Sequence, residues 1–272
     1  MIKIRLTLIL FVVINVVTAQ IEVKTYHKPI ENGYEYFADN LENCPVSIRV
    51  NFELRNLKSS NGNNQIVLLP ANSKANKLTT LKVIKRGKYG FSTKTNYNYG
   101  DHNLESFDTD FEYVLPFPNN KFYKLSQGYN GKFSHQNENA LDFTMPIGTT
   151  ILAARGGIVV KVVENNSRNC PKKECQKFNN LVLVYHSDGT FAEYVHLQQN
   201  QVKVNVGDTI SQGQIIGKSG NTGWSTGPHL HLVIFIQTLN GRKTLKTTFK
   251  VNDGTSSVFL TEGEEYSRNY DF

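Results

Sequence analysis

Gly220-Asn221-Thr222-Gly223-Trp224-Ser225-Thr226-Gly227-Pro228-His229-Leu230-His231, running on into Leu232-Val233-Ile234-Phe235-Ile236, is a glycine-rich loop that opens into an apolar strand. On a strand, residues two apart face the same side, so His229 and His231 project together while Leu230 faces the other way. Two imidazoles held side by side can bind or flank one metal ion, and Gly227-Pro228 fixes the path by which the loop enters the strand. A His-x-His pair is a weak signal by itself; its weight comes from its surroundings.

Those surroundings are β throughout. Short apolar segments at 149–154, 157–163, 181–186, 191–197 and 230–236 read as strands, and almost no window shows a helical period. Upstream, Val46, Ile48, Val50, Phe52 and Leu54 alternate with Ser47, Arg49, Asn51, Glu53 and Arg55, a period of two that puts one face in a core and one in water. Further strands are predicted at 65–69, 78–85 and 91–97, spaced as in a small antiparallel sandwich. The chain is therefore expected to be mostly β, with an N-terminal sandwich-like domain over 20–97, a polar linker over 98–110 and an antiparallel β-sheet domain over 111–272. One more strand is expected at 256–260 and an acidic turn at 262–265, completing a domain edge.

Lys3 and Arg5, an apolar run from Leu6 to Val17, and Val-Thr-Ala before Gln20 have the three parts of a secretory signal peptide, with cleavage expected after Ala19. The apolar run is about twelve residues, short of the roughly twenty that a spanning helix needs, so no membrane span is expected after cleavage. Loss of the leader lowers the formal charge from +7 to +5, a modest excess that favours anionic envelope polymers. The basic residues are scattered, without the basic helix or interleaved aromatics of a nucleic-acid binder. Cys44, Cys170 and Cys175 are an odd number for an oxidising compartment. Cys170 and Cys175 lie in a polar, Pro-containing stretch where a turn can bring them together, and a disulfide is expected there, against a structural zinc site for which two thiolates do not suffice.

A third histidine, His196, sits in Tyr194-Val195-His196-Leu197, and His135 precedes Asp142 in Ser134-His135 and Ala140-Leu141-Asp142-Phe143. With the loop quoted above, Val206-Gly207-Asp208 and Gly213-Gln214-Ile215-Ile216-Gly217-Lys218-Ser219-Gly220, these segments resemble the M23 metallopeptidases, the lysostaphin and LytM-like family, over about 125–236. The resemblance implies an antiparallel sheet with a groove, one Zn²⁺ per chain held by His135, Asp142 and His231, and two catalytic histidines, His196 and His229. The chain departs from the family's shortest pattern in the six residues that separate His135 from Asp142.

The chemistry suits those roles. Two neutral imidazoles and one carboxylate leave Zn²⁺ an open position for a water whose pKa falls to about 7. No His-Glu-x-x-His helix supplies a glutamate base, so a histidine must move the proton, and His196 and His229 both remain candidates. Tyr194, which by strand position shares a face with His196, Trp224 in the loop and Asn130 ahead of the first ligand are candidates for substrate contact, with a half-buried strand tyrosine the commoner reading of Tyr194 and packing the alternative for Trp224. His186, in Val184-Tyr185-His186-Ser187-Asp188-Gly189, reads as a hairpin-turn residue. The expected function is an exported, periplasmic or extracellular zinc endopeptidase that cuts peptide stems or cross-bridges of peptidoglycan. The alternatives are a catalytically silent wall-binding or regulatory module of the same fold, and an endopeptidase acting on other extracellular peptides. The N-terminal domain could bind wall polymer, occlude the groove or act as a spacer, and nothing in its residues chooses among these.

Overall fold

The computed structural model describes residues 21–271; the expected leader, 1–19, lies outside them. Among the described residues nearly all regular structure is strand, with one 3-10 turn at Lys173–Phe178. The N-terminal part contains Val23–Ile30 (β1), Gly33–Asn40 (β2), Val46–Arg55 (β3), Leu57–Ser59 (β4), Asn64–Leu69 (β5), Ser73–Val83 (β6) and Gly90–Tyr99 (β7). They form two sheets, in the orders β1-β2-β6-β4 and β5-β3-β7. Ile48, Val50 and Phe52 from one side of β3 meet Tyr36, Leu57, Leu69, Leu78 and Leu81 in the core between them. Each such side chain taken out of water stabilises by roughly 1.5–3 kcal/mol. Ser47, on the face expected to be wet, is buried because its hydroxyl donates to Gly100 O and accepts from His102 N.

The hairpin β1-β2 has no counterpart in the strands predicted from sequence. β1 carries Lys24, Lys28 and Pro29 and is mostly exposed, so it lacks alternation; as the outermost strand of its sheet it tolerates a proline that an inner strand would not.

The remainder contains Glu112–Val114 (β8), Lys121–Gln127 (β9), Ala140–Thr144 (β10), Thr150–Leu152 (β11), Gly157–Val163 (β12), Asn169–Cys170 (β13), Leu181–Tyr185 (β14), Phe191–Val195 (β15), Thr209–Ile210 (β16), Ile215–Lys218 (β17), Gly223–Trp224 (β18), His229–Thr238 (β19), Gly241–Thr244 (β20), Thr248–Val251 (β21), Ser256–Phe259 (β22) and Glu265–Arg268 (β23). A nine-stranded sheet dominates, ordered β16-β12-β14-β15-β19-β10-β9-β23, with β20 also paired to β19. β23 lies at its edge, on β9, while β22, over the strand expected at 256–260, pairs with β21 in a separate small sheet.

β19 explains the continuous apolar run at its centre. Leu230, Leu232, Ile234 and Ile236 point into the main core with Leu141, Phe143, Val182, Val184 and Ala192. On the opposite face, Val233 and Phe235 join Ala140, Val160, Leu183 and Phe191 around Cys44, with Tyr99 packed against them. A strand covered on both faces has no polar alternation to show. Thus one face of the large sheet is divided: its far end is covered by residues of the N-terminal part, and its near end carries His229 and His231.

Gly100 marks where the N-terminal part meets the sheet. Its φ is +80°, and a Cβ there would lie 2.7 Å from the Phe191 ring, so the close approach requires glycine. The polar segment 98–110 is not a free tether, since Leu104 and Phe107 pack against the main core.

Candidate metal centre and groove

Three strands bring the site together. In the ladder between β10 and β19, Asp142 stands directly opposite His231 and Thr144 opposite His229. On the other side of β19, Val195 of β15 stands opposite His231. Cross-strand neighbours have Cβ atoms about 4.5–5.5 Å apart, so register alone places the carboxylate beside the imidazole. His231 Nδ1 lies 2.9 Å from Asp142 Oδ1, and His135 Nε2 lies 3.3 Å from Asp142 Oδ2. One ligand atom from each of the three residues lies within 4.8 Å of the others.

His135 is delivered by the loop between β9 and β10. It is 1% exposed, and its Nδ1 lies 3.0 Å from the carbonyl of Gly128. A carbonyl only accepts, so Nδ1 carries the proton and the Nε2 lone pair faces the carboxylate. That Nε2 is buried without a hydrogen-bond partner. A lone pair and a carboxylate oxygen repel each other unless a proton or a metal cation stands between them, so the donor set fits a bound divalent cation. The same electrostatics appears in the acid–base behaviour. Burial would raise the Asp142 pKa, but His135 and His231 outweigh it and hold the carboxyl well below its usual range. Burial would lower that of His135, and Asp142 outweighs it in the other direction.

His196 and His229 form a second pair, with ring centroids 4.5 Å apart. His196 Nδ1 donates to Thr222 O at 2.6 Å and His229 Nδ1 to Gly227 O at 2.8 Å, which leaves both Nε2 atoms with free lone pairs. Burial, with His229 and His231 nearby, pushes the His196 pKa down to about 3; burial also lowers that of His229. Both rings are therefore neutral near pH 7.

A groove of about 560 Å³ contains all five residues, and every residue that lines it lies at or beyond Ser126. Trp224 is one of them. Its loop is tied to the stretch 165–180: β13 pairs with β18, Trp224 N donates to Asn179 Oδ1, and its indole Nε1 donates to Pro171 O. Cys170 and Cys175 are bonded to each other in that stretch, while Cys44 is free and buried.

Two candidate substrate contacts are corrected by the structure. Tyr194 is fully buried in the main core, where its hydroxyl accepts a hydrogen bond from Ala154 N at 2.7 Å. His196 does not share its face, because the backbone turns left-handed there, with φ 66°, ending the strand alternation and re-aiming the imidazole into the groove. Tyr194→Phe is accordingly expected to lower stability by about 1–3 kcal/mol, the cost of an unpaired buried N–H, and to leave KM and kcat unchanged; denaturant melts and steady-state kinetics check both. Asn130 is exposed and outside the groove, its side chain donating to Asn139 Oδ1. His186 is fully buried away from the site, Nδ1 to Thr190 Oγ1, and burial and Arg155 push its pKa down to about 3.

The groove also contains residues that sequence reading passed over. Arg242 pairs with Glu138 at 2.8 Å and with Glu193 at 3.1 Å along one wall, and Gln127 donates to Asp142. These partners are 104, 49 and 15 positions apart in sequence, so only strand register could have revealed them.

Residues 136–243 match Peptidase family M23. The chain is 28% identical over 249 residues to an uncharacterized metalloprotease of Buchnera aphidicola subsp. Baizongia pistaciae, covering 83% of this chain and 61% of that protein. It is 30% identical over 167 residues to the peptidoglycan DD-endopeptidase ShyA of Vibrio cholerae serotype O1, covering 59% and 35%. With lysostaphin of Staphylococcus simulans it shares 36% identity over 117 residues, covering 40% and 21%. The chain thus spans less than two thirds of the length of each of these relatives. Asp142, His196, His229 and His231 all fall inside the matched segment, and the relatives are a metalloprotease, an endopeptidase and lysostaphin: over residues 136–243 this chain is similar to peptidase family M23.

Proposed function

We propose that this chain is an exported zinc endopeptidase that hydrolyses peptide stems or cross-bridges of bacterial peptidoglycan. The observation that carries the reading is the buried His135 Nε2, whose lone pair faces the Asp142 carboxylate beside His231 in an open groove. His135 through Nε2, His231 through Nδ1 and Asp142 would hold the ion. Zn²⁺ bound there supplies Lewis acidity toward a peptide carbonyl and lowers the pKa of a water to about 7.

The two remaining imidazoles do the proton work. Each Nε2 begins as an acceptor, because each Nδ1–H is committed to a backbone carbonyl. One takes the proton of the attacking water as the carbon–oxygen bond forms. Once protonated, an Nε2–H donates to the oxygen on which charge develops, or to the amine as the carbon–nitrogen bond breaks. The backbone carbonyls of Thr222 and Gly227 favour the protonated rings, so the base is oriented and supported by the same contacts.

Peptidoglycan as substrate is supported by the peptidoglycan endopeptidase among the relatives and by the positive charge of the chain. Export is supported by the leader pattern of 1–19 and by the Cys170–Cys175 bond, which persists in oxidising compartments. Among the described residues no helix is long and apolar enough to cross a membrane. We take 20–97 and 111–272 as two domains joined by 98–110. The first acts as a buttress of the sheet and not as a plug, since it covers the Phe191–Phe235 end of the face and lines none of the groove.

Zinc content and wall hydrolysis test this together. The mature chain should contain about one zinc, release new amino groups from purified peptidoglycan, lose that activity in EDTA and regain it with Zn²⁺. Zinc without wall cleavage would redirect the enzyme to another peptide; absence of zinc would leave the silent module.

A further inference from the structure

Gln127 stands opposite Asp142 in the ladder between β9 and β10, at a point where the register shifts between Asp142 and Phe143. Such bulges re-aim side chains beside functional sites. The Gln127 side chain is 7% exposed, and its amide is fully engaged. Its Nε2 donates to Asp142 Oδ2 at 2.9 Å and to Ser134 Oγ at 2.7 Å. Its Oε1 accepts from the backbone N–H groups of Phe133 at 3.1 Å and Ser134 at 2.8 Å. The opposite amide orientation would set a carbonyl against a carboxylate and an NH₂ group against two N–H donors, so this one is dictated by the partners.

We propose that Gln127 is a positioning residue for the metal centre: one amide fixes the backbone that delivers His135 and, through its hydrogen bond to Oδ2, the oxygen that His135 Nε2 faces at 3.3 Å, holds the Asp142 carboxylate in one orientation between His135 and His231. Oδ1 is the oxygen toward which His231 Nδ1 and His229 Nε2 both turn, at 2.9 and 3.7 Å. The inference rests on the metal reading of the site. A carboxylate with no donor on its second oxygen can swing to bind through both, which adds a donor and takes up the position that a water needs.

The test uses the full mature chain, its Zn²⁺ dissociation constant from chelator competition, and the visible spectrum of the Co²⁺-substituted protein, whose d–d bands weaken when a fifth donor joins. Gln127→Leu should raise the Zn²⁺ Kd by about 10- to 100-fold and weaken the Co²⁺ bands. Ser134→Ala, which removes the amide's other acceptor and spares Asp142, should change neither. Gln127→Met keeps the length of the side chain and loses the N–H donor without adding charge, so it serves where the leucine variant does not fold, and its Co²⁺ bands should weaken too. Wild-type-like spectra and Kd in the Gln127 variants, with only a lowered melting temperature, would reduce Gln127 to a brace of its loop. If the unaltered chain binds no metal, the reading of the site fails and takes this inference with it; tight binding with unchanged variants overturns the inference alone.

Discussion

His231→Ala is expected to remove metal retention and wall hydrolysis in one step. The ring sits on β19 beside the main core, so alanine keeps the strand, yet among the described residues no other side-chain nitrogen comes as close to Asp142 Oδ1, His229 Nε2 standing at 3.7 Å. The loss should exceed the about 10- to 100-fold that removing a supporting contact costs, because a ligand itself is gone. Asp142, 8% exposed, is then left with weaker partners in a buried position, so the metal-free fold should also melt at lower temperature. Zinc per chain after dialysis against a weak chelator, and amino-group release from purified wall, read the two effects. A variant that kept full zinc would mean that another residue completes the site.

His196→Ala and His229→Ala should behave differently from that and like each other. Each is expected to retain zinc and to lose about 100- to 10,000-fold in kcat, the range contributed by a positioned proton-transfer group. Their ring centroids lie 4.5 Å apart, tilted by 53°, and each ring donates through Nδ1 to a separate carbonyl, so they form one proton-handling unit on two supports. The double variant should therefore be little worse than the worse single one. Full multiplicativity in kcat would instead assign them independent roles, and loss of zinc from either would move that residue into the ligand set.

The β class was legible from local periodicity, and the five residues that gather in the groove were named by resemblance to the M23 pattern. His229 and His231 share a face by period two, Asp142 begins a short apolar strand, and β3 alternates over ten residues. What escaped has no local signal. β1 and β2 pair with each other through a short turn, and β1, mostly exposed at the sheet edge with Lys24, Lys28 and Pro29, shows no alternation. Gln127 looks the same in sequence whether its amide meets water or a carboxylate; its partner is fixed by a register shift between strands. Arg242, Glu138 and Glu193 meet only because β20 and β15 both flank β19. Tyr194 does not share a face with His196 for a related reason: the face rule holds while the backbone stays extended, and at His196 it does not.

The left-handed backbone at that histidine sets folding and turnover against each other. A side chain at φ 66° costs on the order of 1–3 kcal/mol, and this one is also enclosed, 5% exposed, with a ring that burial keeps from charging. Glycine or asparagine would accept the same φ with less strain. On the proposed roles, only purifying selection for catalysis retains imidazole at position 196; a homologous lineage released from that demand would relax there early, by drift toward the sterically easier residue. The identity of that one position therefore serves as a gauge of whether a related sequence still works as an enzyme.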